Sequence, residues 1–197
     1  MRKQLDLLKA MFKNNNMEYK IDQDSNITSL YLGNNHLEEL SPEIGQFTSL
    51  ERLYLRNNNI QDIPKEIGGL INLKMLDLGY NKIQKLPQEI GQLIGLEWLD
   101  VACNQLSELP KEIGHLKNLI GLYLSNNRLH ELPAEILKLI RLNFLDLDNH
   151  RFIEIPKDLF QLPNLQELYL GCNHWRDPPQ EIGLFKNINN SGIWRKR

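Results

Sequence analysis

A repeat of 23 residues constrains the fold of this chain more than any other feature of its sequence. Its shared frame is L-x-x-L-x-L-x-x-N-x-L-x-x-L-P-x-E-I-x-x-L-x-x, which residues 73–95 show most clearly. The units follow one another without an insertion and begin at Ile27, Leu50, Leu73, Leu96, Leu119, Leu142 and Leu165. A unit this short cannot bury an apolar face alone, so repeated units stack and share one core. The repeat therefore predicts a solenoid in which each unit contacts only its neighbours.

The first half of each unit has the pattern of a short β-strand. Apolar residues occupy positions 1, 4 and 6, as in Leu96, Leu99 and Val101. Because side chains alternate between the two faces of a strand, these positions point into the core and positions 3 and 5 point to solvent. Stacking predicts a parallel sheet with neighbouring strands about 4.8 Å apart.

Position 9 of the frame carries an asparagine in six units. A buried amide both donates and accepts hydrogen bonds, so it can pair backbone groups where the chain leaves the sheet. These asparagines are Asn35, Asn58, Asn81, Asn104, Asn127 and Asn173. His150 takes their place in the sixth unit, and a neutral imidazole offers only one donor and one acceptor. We expect a locally distorted turn at His150.

The second half of each unit reads L-P-x-E-I-G-x-L and returns the chain along the opposite side. Proline fixes φ and lacks the N–H that a strand needs, which favours a turn and a short helical or 3₁₀ segment. Such segments are wider than strands, so the stack should curve with the sheet on its concave side. The prolines in this frame are Pro64, Pro87, Pro110, Pro133, Pro156 and Pro179, and the first unit has Pro42 one residue out of phase.

The seven units, residues 27–187, make the chain resemble the leucine-rich repeat family. The resemblance implies an α/β fold, a right-handed horseshoe-shaped solenoid that binds another macromolecule, usually a protein, on its concave face. The L-P-x-E-I-G-x-L half is similar to Ras-suppressor-type and Scribble-type scaffolds and to bacterial, including spirochaete-type, repeat proteins. A bacterial host-interacting or effector role is one expectation from this likeness, and an adaptor or regulator of small GTPases is the alternative.

The two ends flank the repeats with segments of a different pattern. Residues 1–26 contain Leu5, Leu8 and Phe12 at helical spacing, which predicts an amphipathic capping helix that covers the open edge of the first strand. Residues 188–197 restart the frame and then stop, which predicts a truncated cap with Trp194 packed on the last core layer. An incomplete cap favours a dimer through that end.

Composition excludes several classes of function. The formal net charge is −2, from 23 basic and 25 acidic residues, so the chain lacks the cationic surface that nucleic acid requires. No apolar run approaches the roughly 20 residues that span a bilayer. As it stands the chain is expected in the cytoplasm, or in a secreted or cell-surface location if an export signal was removed.

The solvent-facing positions of the sheet carry large aromatic and acidic residues. Exposed aromatic side chains clustered on one face are typical of binding hot spots, because they bury a large area at a small entropic cost. The alternative is that these rings pack on one another and shield the sheet. The candidate partner-binding residues are Tyr54, Met75, Asp77, Tyr80, Trp98, Asp100, Tyr123, Phe144 and Asp146.

The aspartates of this face, together with Asp148, are interpreted as specificity determinants for a partner that carries Lys or Arg. A catalytic carboxylate pair would need a pKa raised by burial, and an open sheet offers little burial. Metalloprotease, phosphate-binding and nucleophile-elbow motifs do not occur in the sequence. We therefore expect a protein without enzymatic activity and without a cofactor.

The cysteines and nearby histidines are the remaining candidates for chemistry. Cys103 and Cys172 share position 8 three units apart, about 14 Å at strand spacing, so we expect free thiols. Cys172, His174 and His150 lie close in the frame and form a low-ranking candidate metal site. Their spacing matches no closed zinc motif, and the favoured interpretation assigns no metal.

Overall fold

The repeated units form one curved sheet backed by short 3₁₀ segments. The computed structural model describes residues 2–12, 16–154, 157–174, 185–189 and 193–196. Helix α1 spans Arg2–Met11. The strands are β1 (Glu18–Ile21), β2 (Ile27–Tyr31), β3 (Arg52–Tyr54), β4 (Met75–Asp77), β5 (Trp98–Asp100), β6 (Gly121–Tyr123), β7 (Phe144–Asp146), β8 (Glu167–Tyr169), β9 (Phe185–Asn189) and β10 (Ile193–Lys196). The 3₁₀ segments are Pro42–Gln46, Lys65–Gly69, Gln88–Gln92, Lys111–His115, Ala134–Lys138 and Lys157–Gln161.

Strands β2 to β8 are parallel and pair in the register that the 23-residue period predicts. Leu76 pairs with Leu99, and Leu99 pairs with Leu122, each 23 residues along the chain. The leucines of this central column have no exposed surface. Positions 1 and 6 are buried as well, since Leu96 and Val101 have no exposed surface. The predicted fold, a right-handed leucine-rich repeat solenoid with a parallel sheet on its concave face, is confirmed.

The prolines determine where the 3₁₀ segments of the convex side begin. Pro87 stands before the segment Gln88–Gln92 with φ −66° and ψ 149°, an extended conformation that the ring favours. Ile90 of this segment is buried and anchors it to the core. The same arrangement recurs at Pro64, Pro110 and Pro133. The predicted turn and 3₁₀ segment is therefore present in these units.

The asparagines of position 9 form a hydrogen-bonded ladder behind the sheet. Asn104 donates from Nδ2 to the carbonyls of Leu78 and Val101, at 2.9 and 3.1 Å. Its Oδ1 accepts the N–H of Ile83 at 2.9 Å. The amides pair backbone groups that leave the sheet, as the sequence predicted. All but the first also bond to a carbonyl of the preceding unit, whereas Asn35 donates to the carbonyls of Asn16 and Gly33.

The predicted distortion at His150 is wrong. Asn149, the residue before it, has φ 55°, close to the 58° of Asn126 in the preceding unit. The turn is preserved because His150 Nδ1 accepts the N–H of Leu129 at 3.2 Å, the bond that an asparagine Oδ1 would accept. The substitution costs a hydrogen bond instead, since Nε2 is buried and has no partner among the described residues.

The N-terminal segment covers the first unit in two ways. Leu8 and Phe12 of the helical segment are 0% and 3% exposed and pack into the core. The edge of β2 is covered by β1, which pairs with it in antiparallel orientation. The expectation that the helix covers this edge is wrong, because the free N–H and C=O groups of an edge strand pair best with another strand. In the described part of the chain, no helix has the length and apolarity to cross a membrane.

The C-terminal segment extends the sheet. Strand β10 pairs with β8 in antiparallel orientation, and β9 pairs with β10 on the outer side. The last repeat strand is thus paired along its edge, and β9 begins at Phe185, before the predicted boundary at residue 188. The predicted packing of the Trp194 side chain lies outside the described residues.

Candidate binding surface

The candidate residues stand in two columns on the concave face. One column pairs Met75 with Trp98, and the other pairs Asp77 with Asp100. Most of these side chains are half-buried by their neighbours, while Tyr80 at the rim is 50% exposed. The two columns run in full through Ser29, Arg52, Met75, Trp98, Gly121, Phe144 and Glu167, and through Tyr31, Tyr54, Asp77, Asp100, Tyr123, Asp146 and Tyr169.

The C-terminal half of the face carries a continuous stack of rings, which we call the aromatic row: Trp98, Tyr123, Phe144 and Tyr169. Ring centroids lie 6.1 Å apart for Trp98 and Tyr123 and 4.5 Å apart for Tyr123 and Phe144. Tyr169 continues the row at 5.0 Å from Phe144. The rings do pack on one another, as the alternative interpretation expected, yet each stays partly exposed. The row is thus a preformed apolar strip across β5 to β8.

A glycine makes room for the first ring of this row. A Cβ built at Gly121 would overlap Cε3 and Cζ3 of Trp98, the residue paired with it on β5. Any side chain at this position would therefore push the indole away from the sheet. Gly121 lets Trp98 lie against β6 and reach Tyr123.

The N-terminal half of the face is organised around an arginine, in a group we call the Arg56 cluster: Arg56, Asp77, Tyr80 and Asp100. Arg56 Nη1 lies 3.1 Å from Asp100 Oδ2 and 3.8 Å from Asp77 Oδ1. Its guanidinium carbon lies 4.4 Å from the centroid of the Tyr80 ring. The acidic candidates of this half are therefore already paired with a cation from the chain itself.

Glycine also makes room for the arginine. A Cβ at Gly79 would lie 2.7 Å from Arg56 Nη1, so a side chain there would displace the end of the arginine. The other two candidates of this half stand apart from the aromatic row. Tyr54 stacks on Tyr31 at 4.8 Å, and Met75 is half-buried between Arg52 and Trp98 in the register.

Burial changes the acidity of three aspartates on this face. It raises the pKa of Asp77, and of Asp146 and Asp148, above the ordinary value, although backbone N–H groups that bond to each carboxylate act in the opposite direction. The expectation that an open sheet offers little burial is wrong for these residues. Aromatic and aliphatic neighbours on adjacent strands exclude water from the carboxylates.

Asp146 and Asp148, which we call the acidic pair, differ from Asp77 in their partners. Asp146 Oδ1 accepts the N–H of Asp148 at 3.0 Å, and Asp148 Oδ1 accepts the N–H of Gly171. Within the described part of the chain, no basic side chain forms an ion pair with either carboxylate. Ser125 also hydrogen-bonds to the Asp146 carboxylate, so in the described residues the pair beside the aromatic row is held by hydrogen bonds and not by an ion pair.

Family comparison agrees with this architecture. The descriptions "Leucine rich repeat" and "Leucine-rich repeat region" match residues 25–83 and 65–129, which together span more than half of the chain. The chain belongs to the leucine-rich repeat family. No curated protein matches it.

Solved structures resemble this leucine-rich repeat protein over most of its length. The ectodomain of the plant membrane receptor kinase GASSHO1/SCHENGEN3 of Arabidopsis thaliana, in complex with CASPARIAN STRIP INTEGRITY FACTOR 2, is 33% identical with a TM-score of 0.73 over 79% of this chain. The plant peptide hormone receptor RGFR1 in complex with RGF2 is 33% identical with a TM-score of 0.63 over 73%. An internalin of Listeria monocytogenes, 22% identical with a TM-score of 0.69 over 77%, shares the fold. The chain spans 20%, 24% and 43% of the lengths of these three proteins.

Two features of the leucine-rich repeat surface were missed by sequence reasoning. Arg56 stands at position 7, outside the two columns, and only its length brings it to Asp100 two strands away. Tyr169 stands in the same column as Tyr123 but is not among the residues predicted to bind a partner. A basic residue at position 7 of a single unit was the available signal for the first, and a tyrosine in line with Tyr123 was the signal for the second.

The candidate metal ligands do not converge in the described residues. His150 is 3% exposed and its Nδ1 is engaged by Leu129, whereas Cys172 and His174 are exposed. Among the residues that the structure describes, no three acidic, histidine or cysteine side chains lie close enough to hold a metal ion. Cys103 and Cys172 are free thiols, as expected.

Proposed function

We propose that this leucine-rich repeat domain is a non-enzymatic module that binds an extended segment of a protein partner across its concave face. The observation that carries the proposal is the aromatic row, a half-buried strip of four stacked rings on four adjacent strands. Large rings of this kind dominate the energy of protein interfaces. The row is the natural anchor for a bound chain.

The preformed stacking favours binding for a second reason. Side chains that must be ordered on binding cost free energy, whereas rings already held by their neighbours lose little freedom. Trp98 is held by Gly121 and Tyr123, and Tyr123 by Phe144. Most of the free-energy cost of ordering these side chains is therefore incurred during folding and not on binding.

The comparisons support a peptide as the bound group. GASSHO1/SCHENGEN3 and RGFR1, each a third identical to this chain, are solved in complex with CASPARIAN STRIP INTEGRITY FACTOR 2 and RGF2, and RGFR1 is described as a peptide hormone receptor. By analogy, this solenoid binds a peptide or a loop of a protein. A bacterial host-interacting role and the small-GTPase alternative stay predictions from the repeat pattern.

The absence of enzymatic activity is part of the proposal. Asp77, Asp100 and Asp146 each accept a backbone N–H two residues further on, at 3.0, 2.8 and 3.0 Å. These bonds hold the carboxylates in turn-stabilising positions. Such restrained groups are suited to recognising a partner's charge.

The test is selection of ligands from a displayed library of random peptides. We expect the native chain to enrich peptides that bind about a hundred-fold more weakly to a Trp98→Ala Tyr123→Ala variant. The matched control is Ile71→Ala Ile94→Ala, which removes two exposed apolar side chains away from the concave columns. Thermal unfolding of all three proteins checks that the fold is intact.

Equal binding by the native chain and the Trp98→Ala Tyr123→Ala variant would reject the concave surface. Loss of binding in the isoleucine control alone would move the site to the outer face of the solenoid.

A further inference from the structure

We propose that the acidic pair and the aromatic row together bind an arginine side chain of the partner. This inference rests on the proposed function, because the arginine belongs to the segment that crosses the concave face. It adds the chemical class that the surface selects: an extended peptide with a basic residue positioned over Asp146.

The chain itself shows how this surface binds a guanidinium. In the Arg56 cluster the cation stacks on the Tyr80 ring at 4.4 Å and meets the carboxylate of Asp100 at 3.1 Å. An aromatic face and a carboxylate on adjacent strands are thus sufficient to hold an arginine on this sheet. The Arg56 cluster is an internal template for the site.

The same positions three units further along lack the cation. A shift of 69 residues replaces Arg56 by Ser125, Tyr80 by Asn149 and Asp100 by Tyr169, and it keeps an aspartate only at Asp146 in place of Asp77. The rings beside Asp146 are instead those of Tyr123 and Tyr169, which face it on the neighbouring strands. A serine is too short to reach across two strands as Arg56 does. In the described residues no basic side chain pairs with Asp146 or Asp148, and the short Ser125 side chain hydrogen-bonds to the Asp146 carboxylate.

Rings and carboxylates surround Asp146 on β6 to β8. Tyr123, Phe144 and Tyr169 supply ring faces and edges beside Asp146, and Asp148 supplies the second carboxylate. The pKa of Tyr123 is raised by burial first and by Asp100 and Asp146 next, which shows that these carboxylates act on the row. A cation placed here would compensate charge that the fold leaves uncompensated.

The uncompensated pair costs the folded chain stability. Burial raises the pKa of both carboxylates, so the folded state disfavours their charged forms. Proteins commonly retain such unfavourable charges where a ligand supplies the counter-charge. With no group of three ligating side chains in the described residues, a metal ion is a poorer fit than an organic cation.

Arginine fits this surface better than lysine. A guanidinium is planar, stacks on aromatic rings and donates to two carboxylates in a fixed geometry. An ammonium group is more strongly hydrated and lacks a face to stack on the rings. Selected peptides should therefore be enriched in arginine over lysine.

The experiment measures the affinity of a library-selected arginine peptide and of the same peptide with citrulline, a neutral analogue of equal shape. On the native chain we expect citrulline to weaken binding about ten-fold. On an Asp146→Asn Asp148→Asn variant, the two peptides should bind alike. Asparagine keeps the carbonyl oxygen that accepts the backbone N–H, so the turn is preserved. The control, Asp24→Asn Asp62→Asn, removes two exposed acidic groups elsewhere and should keep the ten-fold difference.

A second variant places an arginine of the chain itself beside Asp146. Ser125→Arg places a guanidinium where Arg56 stands in the template, and it should abolish the preference for arginine over citrulline. Ser107→Arg adds the same charge at an exposed position outside the two concave columns and should keep that preference.

The outcomes separate this inference from the proposed function. Peptides that need Trp98 and Tyr123 but show no arginine preference, or a preference that survives Asp146→Asn Asp148→Asn, would overturn the arginine site and leave the binding module standing. An absence of peptides that depend on the aromatic row would overturn both.

Discussion

The two halves of the concave face share one backbone and differ in chemistry. In both, three-residue strands pair in the same parallel register. In the N-terminal half, Arg56 crosses Gly79 and compensates Asp77 and Asp100. In the C-terminal half, Trp98 lies over Gly121 and starts a row of rings beside carboxylates that have no such compensation. In one half the chain's own arginine pairs with the carboxylates, and in the other we propose that an arginine of the partner does so.

The difference shows how a repeat protein acquires a site. The leucines and asparagines of the frame fix the register and the core, so the solvent-facing positions are free to vary. At position 7, Arg56 pairs with the carboxylates of the N-terminal half, whereas Ser125 at the same position in the C-terminal half carries no charge. The sixth unit concentrates these departures, since it carries Phe144, the acidic pair and His150.

The largest expected effect concerns His150 behind the C-terminal half. Burial lowers its pKa to about 4 from an ordinary 6.5, and the Leu124 carbonyl opposes this only in part. Between these values the unfolded chain binds the proton and the folded chain does not, so stability falls as the pH falls. The loss across this window is about 3 kcal/mol. His150→Asn should remove this loss of stability. It should also extend the asparagine ladder through the sixth unit.

Chemical denaturation of the native chain and His150→Asn at several pH values measures this difference. Taking the difference cancels the contribution of Asp77, Asp146 and Asp148, whose raised pKa values act in the opposite sense. An identical pH dependence in the two proteins would contradict the account of His150.

The next prediction concerns a variant that removes the ion pairs of the N-terminal half. Arg56→Gln frees Asp77, about 14 Å from Asp146 across three strand spacings, and Asp100, about 10 Å from Asp146 across two. A peptide with two arginines about four residues apart should then bind about ten-fold more tightly than to the native chain, measured by calorimetry. Arg52→Gln removes the same charge from a neighbouring exposed position and should show no gain.

A smaller effect tests the row itself. Gly121→Ala should displace the Trp98 ring, weaken binding of selected peptides roughly five-fold and change tryptophan fluorescence. Gly95→Ala is the control, because a Cβ there would lie 3.7 Å from the nearest atom, the Leu73 carbonyl oxygen, which is an ordinary van der Waals distance. Unchanged fluorescence in Gly121→Ala would show that the ring does not depend on the missing side chain.

The period alone predicted the register, the core and the concave columns, because every unit repeats the same apolar positions. Single side chains with long reach escaped prediction. The Arg56 side chain passes over Gly79 to reach Asp100, and the Trp98 ring lies over Gly121. The strand Glu18–Ile21 was missed because it lies outside the 23-residue frame; its four residues, EYKI, alternate between polar and apolar but are too few to distinguish a strand, and all are exposed. The burial of Asp146 was missed because it comes from rings on the neighbouring strands.

A crystal structure of the chain with a library-selected peptide tests the central claim most directly. The account predicts an extended peptide across β5 to β8, with a guanidinium against the carboxylates of Asp146 and Asp148 and in contact with the aromatic row. A peptide bound on the 3₁₀ side of the solenoid, or on the concave face with no basic group near Asp146, would contradict it.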